Sequence, residues 1–269
     1  MMPGKPSDPL TNELSAARAA ASAAAEVLLE GWGTRPATRF KASKADPVTE
    51  YDHRAEAIIV EHLTAAFPRD AIIGEEGSDR MGSSGRAWHI DPLDGTVNFT
   101  HGLPLFSVSI GLCEGDRPLL GVVNAPALGW TFAGALALGV TLNDRRVESS
   151  RVDALDRALL VTGFVPVPDD SNANIPEFAA LMCASQGVRR LGSAALDLCF
   201  VACGWLDAYW ERNIKSWDLV AGAAIVLAAG GAVCDPGGGP FVPTSGDILA
   251  TNRHLQRPML DILGRSRSG

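Results

Sequence analysis

The sequence predicts a layered α/β protein, with an α+β first half and a second half in which strands and helices alternate. The first observation is size: 269 residues, 46% of them hydrophobic, suffice for one compact unit or two lobes around a shared core. The second is that two helical patterns precede a series of short strands, and the third is that this pattern changes after the polar stretch 143–157. We therefore expect an N-terminal half over residues 1–145 and a C-terminal half over residues 146–269.

The first half begins with two predicted helices. Residues 12–30 are rich in alanine and end at Gly31, which is typical of a helix with a glycine stop. Residues 50–67 carry apolar side chains at intervals of three and four before Pro68, and Thr49 is suited to be the N-cap. Short apolar runs then predict strands over 71–74, 87–90, 106–113 and 119–123, and the polar turn 114–118 makes the last two a hairpin.

An uncharged run over residues 118–143 is long enough to span a bilayer. It contains Asn124, Pro126 and several glycines, so we interpret it as buried strands and turns. In the second half we expect strands at 159–162, 188–191, 208–210, 232–234 and 248–251. The helices that alternate with them are expected at 175–185, 193–203, 217–229 and 253–263.

Charge and cysteine content exclude several classes of protein. With 23 Lys and Arg against 31 Asp and Glu, the net charge is −8, the wrong sign for holding nucleic acid or an anionic membrane through a general positive field. The five cysteines form no C-x-x-C pair, so we expect neither a disulfide framework nor a zinc site. The start of the chain lacks the pattern of a signal peptide, and we expect a protein of the reducing cytoplasm.

Residues 91–99 contain two acidic residues close together, followed by a glycine and a threonine. Asp91 and Asp94 stand at the end of a predicted strand, and the turn at Pro92 brings them together. Two carboxylates forced close together repel unless protons or cations lie between them, and oxygen ligands suit hard ions such as Mg²⁺. The next residues, Gly95 and Thr96, could offer free backbone N–H groups to a phosphate. Taken alone, such a turn is more often an ordinary surface turn.

Three further acidic positions have equally ordinary explanations when each is taken alone. Glu75, in the segment Gly74-Glu75-Glu76-Gly77, follows a predicted strand and suits a solvated turn. Asp218 begins an apolar helix, where an acid is favoured by the helix dipole. Asp52 stands three residues after Thr49, which is the spacing of a capping box.

Together and in this order, the four segments resemble the inositol monophosphatase family of Mg²⁺-dependent, lithium-sensitive phosphatases. The run D-P-L-D-G-T-V-N-F at 91–99 resembles the first family signature, and W-D-L-V-A-G-A at 217–223 resembles the second. Residues 74–77 and 48–52 fall where the family carries its other acids, and the similarity extends from residue 41 to 250–255. The resemblance implies a layered αβαβα sandwich of the sugar phosphatase type, a site in the cleft between the halves, and a homodimer.

The resemblance also implies a role for each site residue. The ligands of two or three Mg²⁺ ions would be Glu75, Asp91, the carbonyl of Leu93, Asp94 and Asp218. Asp52 and Thr96 would orient the attacking water, and Glu75 would be the third catalytic residue. The substrate would contact Asp94, Gly95, Thr96, Gly192, Ser193, Ala194, Glu211 and Asp218, with Glu211 facing its hydroxyl groups.

The expected activity is Mg²⁺-dependent hydrolysis of a phosphomonoester, first of all inositol monophosphate, by an activated water and without a covalent intermediate. Histidinol phosphate, a sugar phosphate or a nucleotide 3′-phosphate remains an alternative substrate, because segments 124–141 and 164–174 depart from the family pattern. A different alternative is a family member that acts mainly as a regulatory protein-binding module. The presence of Glu75, Asp91, Asp94 and Asp218 favours the enzyme.

Overall fold

The computed structural model describes residues 10–41, 47–165 and 174–265, so much of the segment 164–174 lies outside the described residues. Within these ranges seven helices form: α1 (Thr11–Gly31), α2 (Glu50–Ala66), α3 (Thr96–Thr100), α4 (Asn174–Ala184), α5 (Ala194–Ala202), α6 (Ser216–Ala228) and α7 (Gln256–Arg265). Six of them match predicted helices within a few residues. The short α3 was not predicted as an element, because one turn of helix carries no periodic pattern.

The strands of the first half form one large sheet beside a small two-stranded pair. The pair consists of β1 (Arg39–Phe40) and β2 (Pro47–Val48). The large sheet has seven strands in chain order: β3 (Ala71–Gly74), β4 (Arg86–Asp94), β5 (Ser107–Glu114), β6 (Arg117–Ala125), β7 (Trp130–Ala135), β8 (Gly139–Leu142) and β9 (Arg145–Val147). Only β3 and β4 pair in parallel, and the predicted hairpin is the antiparallel pair β5 and β6.

The second sheet belongs to the second half and has five strands. They are β10 (Leu159–Thr162), β11 (Gly187–Arg189), β12 (Ala208–Glu211), β13 (Ala232–Cys234) and β14 (Ile248–Thr251), in the spatial order β11-β10-β12-β14-β13. The pairs of β10 are parallel, whereas β14 is antiparallel to both of its neighbours. The second sheet is therefore mixed, although strands and helices alternate along this half of the sequence.

The two sheets and their helices form the αβαβα sandwich that the family resemblance implied. Helices α1 and α2 cover the outer face of the seven-stranded sheet, with an apolar core between them. Helices α5 and α6 lie between the two sheets, and α4 and α7 cover the outer face of the five-stranded sheet. Three apolar clusters thus hold five layers of secondary structure together.

Small residues allow these layers to approach closely. In α1, alanines at intervals of three and four, such as Ala17, Ala21 and Ala24, are fully buried against the sheet. Where α6 crosses the first sheet, a Cβ added to Gly121 would lie only 2.1 Å from the carbonyl oxygen of Ala221. Because α6 belongs to the second half but packs on the first sheet, the division at residue 145 remains a prediction.

The uncharged run 118–143 contains β7, β8 and all of β6 except Arg117, so it forms strands and turns as predicted. No helix among the described residues is both long enough and apolar enough to cross a membrane. The sequence did not indicate β9, and it ended β4 at residue 90 instead of Asp94. The real β4 continues because Asp91 pairs with Ser109 and Asp94 with Ser107, with a shift of register between them.

Candidate active site

The last residues of β4 bring two carboxylates to one place. In a regular strand, residues three apart point to opposite faces of the sheet, so Asp91 and Asp94 would be separated. The register of β4 against β5 shifts between these two residues, and such a bulge re-aims a side chain. The backbone N–H of Leu93 also donates to Asp91 Oδ1 at 2.9 Å, which holds the carboxylate in the turn.

A third carboxylate reaches the same place from the start of α6. Asp218 accepts a hydrogen bond from the backbone N–H of Lys215 at 3.0 Å, so it does act in capping the helix. It also has a carboxylate oxygen that lies, with oxygens of Asp91 and Asp94, in a group within 4.8 Å of one another. Capping and membership of this acidic cluster are therefore compatible roles of Asp218.

Burial and mutual repulsion disfavour negative charge in this cluster. The pKa of Asp91 lies well above its ordinary value, first because of burial and then because Glu75, Asp94 and Asp218 are close. The pKa of Asp218 is also raised well above its ordinary value, by burial and then by the charges of Glu75 and Asp94. Burial raises the pKa of Asp94 to about 6, although hydrogen bonds oppose the shift. The three carboxylates lie close enough to hold one metal ion, and a cation would offset their repulsion. Because they offer only oxygen ligands, they fit a hard divalent cation.

The first turn of α5 fixes the orientation of Asp94. Ser193 Oγ donates to Asp94 Oδ2 at 2.5 Å, and the backbone N–H of Ala195 donates to the same oxygen at 2.9 Å. The N–H of Ala194 reaches Asp94 Oδ1 at 3.2 Å. A carboxylate from the first sheet is thus held by the start of a helix from the second half, where free N–H groups favour an anion.

Glu75 lies beside this cluster but outside the three-carboxylate group found among the described residues. Its Oε1 accepts from Lys41 Nζ at 2.8 Å, and its charge contributes to the raised pKa of Asp91. Lys41 also donates to Glu76 at 2.5 Å. The structure therefore places three of the four predicted acidic ligands together, with the fourth adjacent and paired with a lysine.

Asp52 and Thr96 meet at the edge of the same site. Asp52 Oδ2 accepts from the backbone N–H and the hydroxyl of Thr49, at 2.8 and 2.7 Å, which completes the predicted capping box. Its other oxygen, Oδ1, lies 3.5 Å from Thr96 Oγ1, which also lies 2.9 Å from the carbonyl oxygen of Leu93. Burial raises the pKa of Asp52 to about 6. One oxygen of Asp52 thus serves the helix and the other faces Thr96.

A cleft between the halves contains the predicted substrate residues. The cleft is lined by all eight of those residues: Asp94, Gly95, Thr96, Gly192, Ser193, Ala194, Glu211 and Asp218. Gly95 has φ of 89°, in the left-handed region, and a Cβ there would lie 2.8 Å from the carbonyl oxygen of Leu105. Glu211, at the end of β12, accepts from the Tyr209 hydroxyl at 2.5 Å, and burial raises its pKa to about 7.

Comparison with known proteins decides the family. A sequence model of the inositol monophosphatase family matches residues 10–266. The chain belongs to the inositol monophosphatase family. An inositol-1-monophosphatase from Synechocystis sp. is 44% identical over 264 residues, which cover 96% of this chain and 90% of that protein. The solved structure of an inositol monophosphatase from Anabaena is 39% identical, with a TM-score of 0.84, and covers 96% of this chain and 97% of its own.

As a member of the inositol monophosphatase family, the protein is a phosphoric monoester hydrolase. A protein named Nus factor SuhB, from Pseudomonas aeruginosa, is also 42% identical over 222 residues, covering 80% of this chain and 82% of that protein. The acidic cluster is consistent with a phosphatase of this family that binds cations. A dianionic phosphate can approach several carboxylates only when cations balance the charge.

Three charged residues of this family member's site were not singled out in the sequence. Lys41 pairs with Glu75, whereas Arg190 and Asp197 line the cleft. Asp197 had a signal that could have found it, since it stands one helical turn after Ser193 and so shares the same face of α5. Nothing in the sequence distinguishes Lys41 and Arg190 from surface residues, because a single basic residue beside a turn is usually exposed to solvent.

Proposed function

We propose that this protein hydrolyses inositol monophosphate with the help of two or three Mg²⁺ ions. The observation that carries the proposal is the meeting of Asp91, Asp94 and Asp218 at a cleft that Asp94 and Asp218 line together with Gly95 and Thr96. This arrangement provides oxygen ligands for hard cations beside backbone N–H groups for a phosphate. The backbone carbonyl of Leu93 and the carboxylate of Glu75 would complete the ligand set.

The metal ions supply charge: when bound, Mg²⁺ offsets the charge of the phosphate and the leaving oxygen and lowers the pKa of a nearby water molecule. The chain's own residues orient the reactants. The backbone N–H groups of Gly95 and Thr96 would bind phosphate oxygens, and Asp94, locked by the start of α5, would keep its position as substrate enters.

Thr96 and Asp52 would handle the proton of the attacking water. Thr96 Oγ1 can accept a proton from the water while its own proton passes to Asp52 Oδ1, 3.5 Å away. A pKa of about 6 makes Asp52 a suitable base near neutral pH. The water oxygen would bond to phosphorus as the bond from phosphorus to the alcohol oxygen breaks, so no protein nucleophile is required. Glu75, beside Asp91, would take part in holding this arrangement.

Glu211 and the turn Gly192–Ala194 would contact the alcohol half of the substrate. A carboxylate at the end of β12 can accept hydrogen bonds from neighbouring hydroxyl groups, which favours a polyol such as inositol. It could also pair with the ammonium of histidinol phosphate, which remains the alternative within the same chemistry.

The test is steady-state release of phosphate from inositol 1-phosphate, histidinol phosphate, fructose 1,6-bisphosphate and a nucleotide 3′-phosphate, with Mg²⁺ and with chelator. We expect inositol 1-phosphate to have the highest kcat/KM and chelator to stop turnover. Lithium in the millimolar range should inhibit. A tenfold preference for another compound, about 1.4 kcal/mol of differential transition-state binding, would overturn the substrate while leaving the metal chemistry intact.

A regulatory role is a second candidate, favoured by the 42% identity to the protein named Nus factor SuhB. An Asp91→Asn variant would separate the two roles, because a binding role should survive the loss of catalysis. We also infer a homodimer in the cytoplasm. Light scattering coupled to size-exclusion chromatography would test the dimer.

A further inference from the structure

Asp197 is a buried carboxylate for which the proposed mechanism has no use. Only 1% of its surface is exposed, and its Oδ1 has no hydrogen-bond partner among the residues that the structure describes. The residue also lines the cleft that contains Asp94 and Glu211. Leaving a buried acceptor without a donor costs stability, so such an atom points to a partner that binds in function.

The position of Asp197 on α5 directs it towards the cleft. The helix begins with Ser193 as its N-cap, and Asp197 follows one turn later on the same face. Ser193 and the backbone of Ala195 hold Asp94, which the proposed chemistry places at the phosphate. The side chain of Asp197 therefore projects into the cleft from the same face of the helix that orients the acidic cluster.

A role limited to the stability of α5 does not account for this residue. An acid in the first turn of a helix usually stabilises it through free N–H groups or the helix dipole while remaining in contact with water. Asp197 instead is buried and makes no side-chain hydrogen bond among the described residues. Its neighbours Glu211 and Asp94 add further negative charge, and the charge of Arg190 opposes them.

We propose that Asp197 is a specificity-determining residue whose carboxyl group binds a hydroxyl group on the alcohol half of the substrate. This inference rests on the proposed function and deepens it. Glu211 and Asp197 would then bind two different hydroxyl groups of one polyol. Both side chains offer oxygens that can accept from hydroxyl groups, which are the groups that a polyol presents.

The test compares substrates that have and lack hydroxyl groups. In the Asp197→Ala enzyme, kcat/KM for inositol 1-phosphate should fall roughly 10- to 100-fold, mainly through KM, as expected for one lost hydrogen bond to a carboxylate. With p-nitrophenyl phosphate, whose leaving group has no hydroxyl substituent, the variant should equal wild type. Asp197→Asn keeps an acceptor oxygen and should restore part of the loss.

A series of monodeoxy inositol 1-phosphates would identify the hydroxyl group. One deoxy position should weaken the wild type and have no effect in Asp197→Ala, whereas other positions should weaken both enzymes equally. If every deoxy compound loses the same factor in both enzymes, the proposal is wrong. If Asp197 instead binds an ammonium group, the wild type should prefer histidinol phosphate and the variant should lose that preference, which would also overturn the hydroxyl assignment.

Asp207→Asn is the matched control. Asp207 is buried but fully partnered, by Ser150 Oγ at 2.5 Å and the backbone N–H of Leu159 at 2.7 Å, and it does not line the cleft. It should lower the melting temperature without changing kcat/KM, whereas Asp197→Ala should not lower the melting temperature. A loss of stability without a change of KM in Asp197→Ala would support a structural role only. If wild type hydrolyses p-nitrophenyl phosphate but no polyol phosphate, the proposed function fails independently of Asp197.

Discussion

At the scale of single residues, Thr96 offers the sharpest test of the proton path. Its hydroxyl lies 2.9 Å from the carbonyl of Leu93, and Thr100, one turn later, makes the same local contact with Val97 at 3.0 Å. Only Thr96 also faces Asp52, so Thr96→Val should lower kcat by roughly 10² to 10⁴. Thr100→Val is the control and should leave kcat near wild type. Equal kcat in the two variants would show that the Thr96 hydroxyl has a structural role alone.

Replacing Asp52 should reveal its two functions in two separate measurements. Its Oδ2 caps α2 while Oδ1 faces Thr96, so Asp52→Asn should weaken both. We expect a loss of about 1 kcal/mol in the free energy of unfolding from the cap and a fall of roughly 10² or more in kcat. Denaturant unfolding and single-turnover rates measure the two effects. A variant that unfolds readily but turns over normally would assign Asp52 to the helix cap only.

Glu211 should make the stability of the metal-free protein depend on pH. Burial raises its pKa from 4.5 to about 7, so between these values the folded protein keeps a proton that the unfolded chain has released. Stability therefore falls as the pH rises from about 4.5 to about 7, and the loss persists above that. Relative to wild type, Glu211→Gln should gain roughly 3 kcal/mol at pH 8 and almost nothing at pH 4.5.

Urea unfolding in chelator at both pH values measures this difference. The exposed Glu61→Gln variant is the control for replacing a glutamate with an amide. If Glu211→Gln differs from wild type by the same amount at both pH values, the carboxyl group does not carry a buried charge above neutrality, and its orientation towards the cleft would need revision.

At the scale of elements, the contact between α6 and the first sheet sets the position of Asp218. The Gly121→Ala variant would place a Cβ 2.1 Å from the Ala221 carbonyl oxygen, which belongs to backbone and cannot rotate away. Helix α6 must then shift, so we expect a loss of roughly 1 to 3 kcal/mol in stability together with a fall in kcat.

Gly239→Ala serves as the control for Gly121→Ala, since a Cβ at Gly239 meets no atom within 4 Å. Thermal unfolding and kcat with saturating Mg²⁺ measure both effects. Should Gly121→Ala lose stability while its kcat is unchanged, the spacing between α6 and the sheet would not control the acidic cluster.

At the scale of the whole molecule, Mg²⁺ should stabilise the fold as well as support activity. A ligand that binds only the folded state at a hundred times its Kd contributes about 2.7 kcal/mol, which for a chain of 269 residues is a rise of roughly 5 to 10 °C in melting temperature. Asp91→Asn and Asp94→Asn should lose most of this rise, and each should lower kcat by roughly 10² or more. An equal rise in these variants and in wild type would place the bound ions elsewhere.

Much of the architecture could be predicted because its pattern is local. The alanine spacing of α1, the cap of α2 and the turn between β5 and β6 act over a few residues, so the sequence shows them directly. The pairing of β3 with β4 in parallel, the mixed second sheet and the shift of register that extends β4 depend on strands distant in the chain. A local sequence pattern cannot predict such pairings.

The sequence by itself determined the family and indicated eight of the residues that line the cleft, because two signatures and two acidic segments occur in a specific order. Only the tertiary structure decided that three carboxylates meet while Glu75 pairs with Lys41, since these contacts join segments that the chain separates widely. The tertiary structure also distinguished Asp197 from an ordinary first-turn acid. Burial and the absence of a partner are properties of packing, and an isolated helix would have left that carboxylate in water.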